Sequence, residues 1–66
     1  MNVCEQVRYF RKAQGLTATD LAARSGVNQT TISFIENEKV NPTLDTIEKL
    51  VEAMGCEIRI MPKNWP

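Results

Sequence analysis

Four stretches of this chain carry apolar residues at helical spacing, and one stretch alternates with a period of two. Val3, Val7 and Phe10 fall on one stripe at i, i+4 and i+7, with Glu5, Arg8 and Lys12 off it. That stripe predicts a first helix over residues 2–14, with Gly15 as its C-terminal cap. Thr17 is a good N-cap, and Asp20 three residues on supplies a short version of the capping-box partner. The second helix is then about eight residues long, with Leu21 and Ala22 facing inward and Ser25-Gly26 ending it. Asn28 offers the next N-cap, and Ile32 and Ile35, with Thr31 beside them, mark the buried face of a third helix that breaks at Asn37-Glu38-Lys39. Asn41-Pro42-Thr43 resets the chain. Thr43 caps a fourth helix over 44–54, whose stripe of Leu44, Ile47, Leu50, Val51 and Met54 is the most regular in the sequence and stops at Gly55.

The alternating stretch is Cys56 to Met61, closed by Pro62. It predicts a strand with Cys56, Ile58 and Ile60 on one face and Glu57 and Arg59 on the other. No other segment offers this strand a partner, and a lone strand leaves unpaired backbone groups and an apolar face in water. Either the same strand of a second copy pairs with it antiparallel about a two-fold axis, or the segment lies as an extended tail on the fourth helix. Antiparallel pairing would set Glu57 and Arg59 of the two copies opposite each other. The expected organisation is an all-α domain over residues 1–55, a dimerisation strand over 56–62 and a tail over 63–66, in which Trp65 packs on the body or on a partner.

Composition narrows the chemistry. Sixty-six residues make one domain with a thin core, which a partner would reinforce. Eight Lys and Arg balance eight Asp and Glu, which excludes a polybasic coating segment but not a locally basic face. Basic residues outnumber acidic ones four to two in residues 1–33, and acidic outnumber basic six to four in 34–66. No apolar run approaches the ~20 residues of a membrane span, and no signal-like segment opens the chain, so a cytoplasmic protein is expected, with no membrane partner. The two cysteines, Cys4 and Cys56, form neither a Cys-x-x-Cys pair nor a zinc set, so reduced buried thiols are expected, with no metal and no cofactor. With no His, acid–base work would fall to carboxylates or Lys, and there is little room for a pocket of ~300 Å³ or more. An enzyme is not expected.

The informative region is Thr17 to Asn37, two short helices joined by a tight turn through Gly26 and Val27. Projected at 100° per residue, the third helix turns Gln29, Thr30, Ser33 and Asn37 away from Ile32 and Ile35, with Phe34 at the margin. A solvent-facing strip of short polar side chains almost without charge is unusual on a helix that serves only solubility. Such groups have the size and the donors and acceptors to read base edges in a major groove. The run from Leu21 through Gly26, Ile32 and Ile35 to Glu36-Asn37 resembles the helix-turn-helix core of the phage repressor and Cro-like, or xenobiotic-response-element, family. In looser form the likeness extends from Val7 to Met54, and Asn41-Pro42-Thr43-Leu44 resembles that family's entry to its fourth helix.

The resemblance implies a lambda-repressor-like four-helix fold and double-stranded DNA as partner. It implies base contacts from Gln29, Thr30, Ser33 and Phe34, with Gln29 best placed. Phe34 departs from the polar residues common there and suits either a thymine methyl or a dimer surface. Phosphates would be held from Thr17, Thr19, Asn28 and Thr31 on one side and Asn37, Lys39 and Asn41 on the other. Ala18 stands where relatives with a strong backbone clamp often carry Gln. Arg11 and Glu36 correspond to a family pair that ties the first helix to the end of the third. A chain ending soon after a short strand is similar to small antitoxins, some of which dimerise through an intersubunit ribbon; Cys56, Ile58 and Ile60 would form its buried face here. The expectation is a homodimeric repressor of a pseudo-palindromic operator. The alternative is an antitoxin that binds a protein toxin and represses its own operon.

Overall fold

The computed structural model describes residues 2–64. Four helices follow one another: α1 Val3–Ala13, α2 Ala18–Ser25, α3 Gln29–Glu36 and α4 Leu44–Ala53. Each is opened by a side chain that accepts an otherwise unpaired N–H of its first turn. Asn2 accepts from the Glu5 N–H at 2.9 Å, and Asn28 from the Thr30 N–H at 2.7 Å. Thr43 accepts from the Thr46 N–H at 3.2 Å. At α2 the capping box is complete: Thr17 Oγ1 accepts from the Asp20 N–H at 3.0 Å and the Asp20 carboxylate accepts from the Thr17 N–H at 2.9 Å. The bond from the Thr17 N–H, helped by the Thr17 hydroxyl, holds the Asp20 carboxyl below the usual carboxylate range.

Three helices end the same way. After α1, the Leu16 N–H returns to the Arg11 carbonyl and the Gly15 N–H to Lys12; after α4, Cys56 returns to Val51 and Gly55 to Glu52. After α3 the same bonds run from Lys39 to Phe34 and from Glu38 to Ile35, and the residue in the left-handed region is Glu38, at φ 57°. A side chain there crowds the following carbonyl, which is why glycine dominates this position elsewhere.

The helices close around one core of Val7, Leu21, Ile32, Ile35, Ile47, Leu50, Val51 and Met54. α2 packs on both α3 and α4, and α1 packs on α3. Leu21 sits where these elements meet and is wholly buried. Its truncation to Ala would cost about 2–5 kcal/mol. Gln14 ties the end of α1 to the end of α4 by donating Nε2–H to the Met54 carbonyl at 2.7 Å.

The structure corrects four expectations. Among the described residues there is no strand: residues 56–62 form irregular chain. A strand is defined by its neighbour, and a single chain supplies none. Second, Val3 and Phe10 are more than 40% exposed although they share the stripe of buried Val7. They line an open groove of about 260 Å³ with Val51, Met54, Cys56 and Ile58, which a single chain leaves unfilled. Third, Leu44 is 64% exposed: as the first residue of α4 it precedes the turn that reaches the core. Fourth, Thr31 is exposed; in so short a helix the one inward row is filled by Ile32, Ile35 and Glu36. Cys4 and Cys56 are free and half-buried. Trp65 lies outside the described residues.

Candidate nucleic-acid interface

α2 and α3 are joined by only Gly26, Val27 and Asn28. Gly26 takes φ 76°, a left-handed conformation that a Cβ would strain, and its N–H returns to the Ala22 carbonyl. Ser25 Oγ then accepts from the Val27 N–H at 3.1 Å, and Val27 packs partly buried on the core. Ile32 and Ile35 anchor α3 at 0% and 1% exposure. The helix is therefore fixed along its inner row while its outer row is free.

On that outer row Gln29, Thr30 and Ser33 are exposed, and Phe34 is 48% exposed at its edge. α3 carries no acidic residue in its first turn and no basic residue in its last. Gln29 and Thr30 open the helix, where backbone N–H groups point outward. Asn37 spends its Nδ2–H on the Ser33 carbonyl at 2.8 Å, which sets its amide against the last turn of α3. Thr17, Thr19, Asn28, Thr31, Lys39 and Asn41 are all exposed. Thr17 and Thr19 stand at the start of α2, Asn28 and Thr31 at the start of α3, and Lys39 and Asn41 in the loop before α4. The fold thus brings Gln29, Thr30 and Ser33 onto one face, flanked by two helix starts and one loop.

Beside this face lies Glu36, the one buried charged residue among the described residues, whose side chain is 6% exposed. Arg11 meets it with two parallel bonds, Nε–H to Oε2 at 2.7 Å and Nη2–H to Oε1 at 2.8 Å. The third arm of the guanidinium donates to the Leu16 carbonyl at 2.8 Å. The bonds to Glu36 raise the Arg11 pKa above its already high value, against the opposing effect of burial. One side chain so locks α1, the loop after it and the end of α3 together, and fixes the angle at which α3 is presented. Sequence pattern alone gave no sign of the Gln14 and Asn2 bonds or of the left-handed Glu38.

Cys56 is half-buried against the core, Ile58 is 40% exposed and Ile60 98% exposed. Within the chain Arg59 donates to Glu57 at 2.5–2.8 Å, so their charges are satisfied locally. Among the described residues no His, Cys, Asp or Glu cluster could hold a metal ion, and no helix is long and apolar enough to cross a membrane.

This arrangement is that of a helix-turn-helix DNA-binding domain. The chain belongs to the helix-turn-helix family of the Cro and repressor type, whose profile matches residues 7–61. It is 36% identical over 63 residues, 96% of its length, to the helix-turn-helix-type transcriptional regulator y4dL of Sinorhizobium fredii. It is 29% identical over 58 residues to the immunity repressor protein of Bacillus phage phi105, covering 88% of this chain and 40% of that protein. A helix-turn-helix-type regulator of Archaeoglobus fulgidus is 36% identical over 53 residues, 80% of this chain and 76% of its own length. The chain spans only 32% of the length of y4dL and 40% of the phage repressor. These relatives are described as helix-turn-helix-type transcriptional regulators and a phage immunity repressor.

Proposed function

We propose that the chain represses transcription as a homodimer bound to a pseudo-palindromic operator, with α3 in the major groove. The observation that carries this is the uncharged polar row of Gln29, Thr30 and Ser33, exposed on a helix whose inner row is buried to 0% and 1% at Ile32 and Ile35. Gln29 pairs bidentately with adenine N6 and N7, and Thr30 and Ser33 contact neighbouring bases. Phe34 packs on a thymine methyl. Thr17, Thr19, Asn28 and Thr31 hold phosphates on one flank, and Asn37, Lys39 and Asn41 hold them on the other. With so few cations one subunit binds weakly, and two half-sites about one helical turn apart supply the affinity. The second copy joins through residues 56–61 as an antiparallel ribbon, with Cys56, Ile58 and Ile60 on its apolar face.

Selection from a pool of random duplexes at moderate salt tests this directly. Enrichment of two inverted half-sites supports the reading; a folded sample that enriches nothing overturns it. The exposure of Ile58, Ile60 and Met61 also suits a second reading, an antitoxin whose C-terminal segment seats a protein toxin. Light scattering separates the two: a dimer of the chain alone favours self-pairing, and a monomer that dimerises on no duplex favours a foreign partner.

A further inference from the structure

The eight cations of this chain are not equivalent. Arg11 is spent on Glu36, Lys49 pairs with Asp45 at 3.3 Å, and Arg59 pairs with Glu57. Arg8 and Lys12 form no ion pair among the described residues. They stand four apart on α1, where neighbouring like charges repel each other. Both border a cleft of about 250 Å³ whose opposite wall is Ser33 and Asn37 of α3, with the small Ala18 of α2 leaving it open. The Arg11–Glu36 pair also lines the cleft, nearly buried and mutually neutralised, so its only carboxylate does not offset the two cations.

We propose that this cleft seats the phosphodiester backbone of bound duplex DNA, with Arg8 and Lys12 donating to its phosphate oxygens. Two observations favour that occupant. Ser33 belongs both to the cleft and to the polar row of α3, so a strand whose bases face Gln29 and Ser33 runs past the cleft mouth. The cleft also joins two unpaired cations to hydroxyl and amide groups with no uncompensated acid, which suits a phosphate oxygen. The inference rests on the DNA-binding reading above. It assigns phosphate contacts to α1, a helix outside the helix-turn-helix motif.

The test uses the whole chain with Arg8→Gln, Lys12→Gln and the double substitution, and Lys49→Gln as a control of equal charge on α4. Binding to a random-sequence duplex of about 20 bp and to a selected operator is followed by fluorescence anisotropy across salt concentrations. Each cleft substitution should weaken both duplexes severalfold and flatten the log–log salt slope by about 0.9 per bound subunit, so about 1.8 for a dimer on its operator, and the double by about twice that. Lys49→Gln should change neither. Thermal melts should be unaltered or raised, because the substitutions relieve repulsion on an exposed helix face. A double variant that binds with the wild-type slope overturns the proposal while leaving DNA binding intact. A loss confined to one base pair overturns it in favour of base reading. Failure of the unsubstituted chain to bind any duplex overturns both this proposal and the reading beneath it.

Discussion

Between Thr17 and Asn37 the inward positions are sealed: Leu21 and Ile32 are 0% exposed and Ile35 1%. Between Cys56 and Met61 the apolar face stays open, with Ile58 at 40% and Ile60 at 98%. Their charge pairs differ in the same way. Arg11 and Glu36 lie 25 residues apart and hold separate helices together almost out of water, whereas Arg59 and Glu57 lie two apart on the surface. The first region completes its interactions within one chain and so holds α3 in a fixed orientation. The second pairs only the side-chain charges of Glu57 and Arg59, and its apolar groups remain available to another molecule. A 66-residue chain has more apolar faces than one small core can cover, and a large part of the surplus lies along α1 and the C-terminal segment.

The comparison breaks most severely at Arg11. Arg11→Ala strands a buried carboxylate and should cost about 3–5 kcal/mol, enough to unfold a domain of this size, as read by chemical denaturation. Arg11→Lys keeps the charge but loses the parallel bonds, and should fall between the two. In the other region, Ile60→Asp should shift light scattering from dimer to monomer and lower the melting temperature only by the stabilisation that dimerisation adds. A dimer that persists would move the interface elsewhere. Gln29→Ala should weaken operator binding by about 1–3 kcal/mol with little change in stability, and should lose discrimination at one base pair only.

Two smaller effects sharpen the account of the motif's edges. Glu38→Gly removes a side chain from a left-handed position and should stabilise the fold by about 1 kcal/mol in thermal denaturation, although it gives up the hydrogen bond that the Asn2 amide donates to the Glu38 carboxylate. Asp20 has a depressed pKa in the folded state, so its stabilisation is present above the ordinary carboxylate range and is lost as pH falls through and below it. Asp20→Asn should flatten that acid limb slightly, as read by melts between about pH 6 and pH 2.

Much of the body was legible because helix caps are local chemistry. Thr17, Asn28 and Thr43 sit where their side chains can reach backbone N–H groups two or three residues on, and each does so. The predicted ranges 2–14 and 44–54 overrun α1 and α4 by a residue or so at their ends. The Arg11–Glu36 tie came from family resemblance, since nothing in either residue's neighbourhood points to a partner 25 positions away. Periodicity identifies which faces are apolar but not which of them a neighbour covers: it points Val3, Phe10 and Leu44 inward, and they are 42%, 43% and 64% exposed. It also could not foresee Glu38 in a glycine-like conformation, because that position is imposed by the bonds closing α3 from Phe34 and Ile35. The strand is absent from the described single chain for a related reason: alternation says that a segment suits a sheet, and only a second strand makes it one.

The central claim is that each chain presents one reading helix and that two chains read a site together. It is tested most directly by measuring affinity for a selected operator and for the same operator with ~5 bp inserted between its half-sites, about half a helical turn. The insertion turns the half-sites to opposite faces of the duplex, so affinity should fall to that of a single half-site. Equal affinity for the two duplexes would contradict a paired reader.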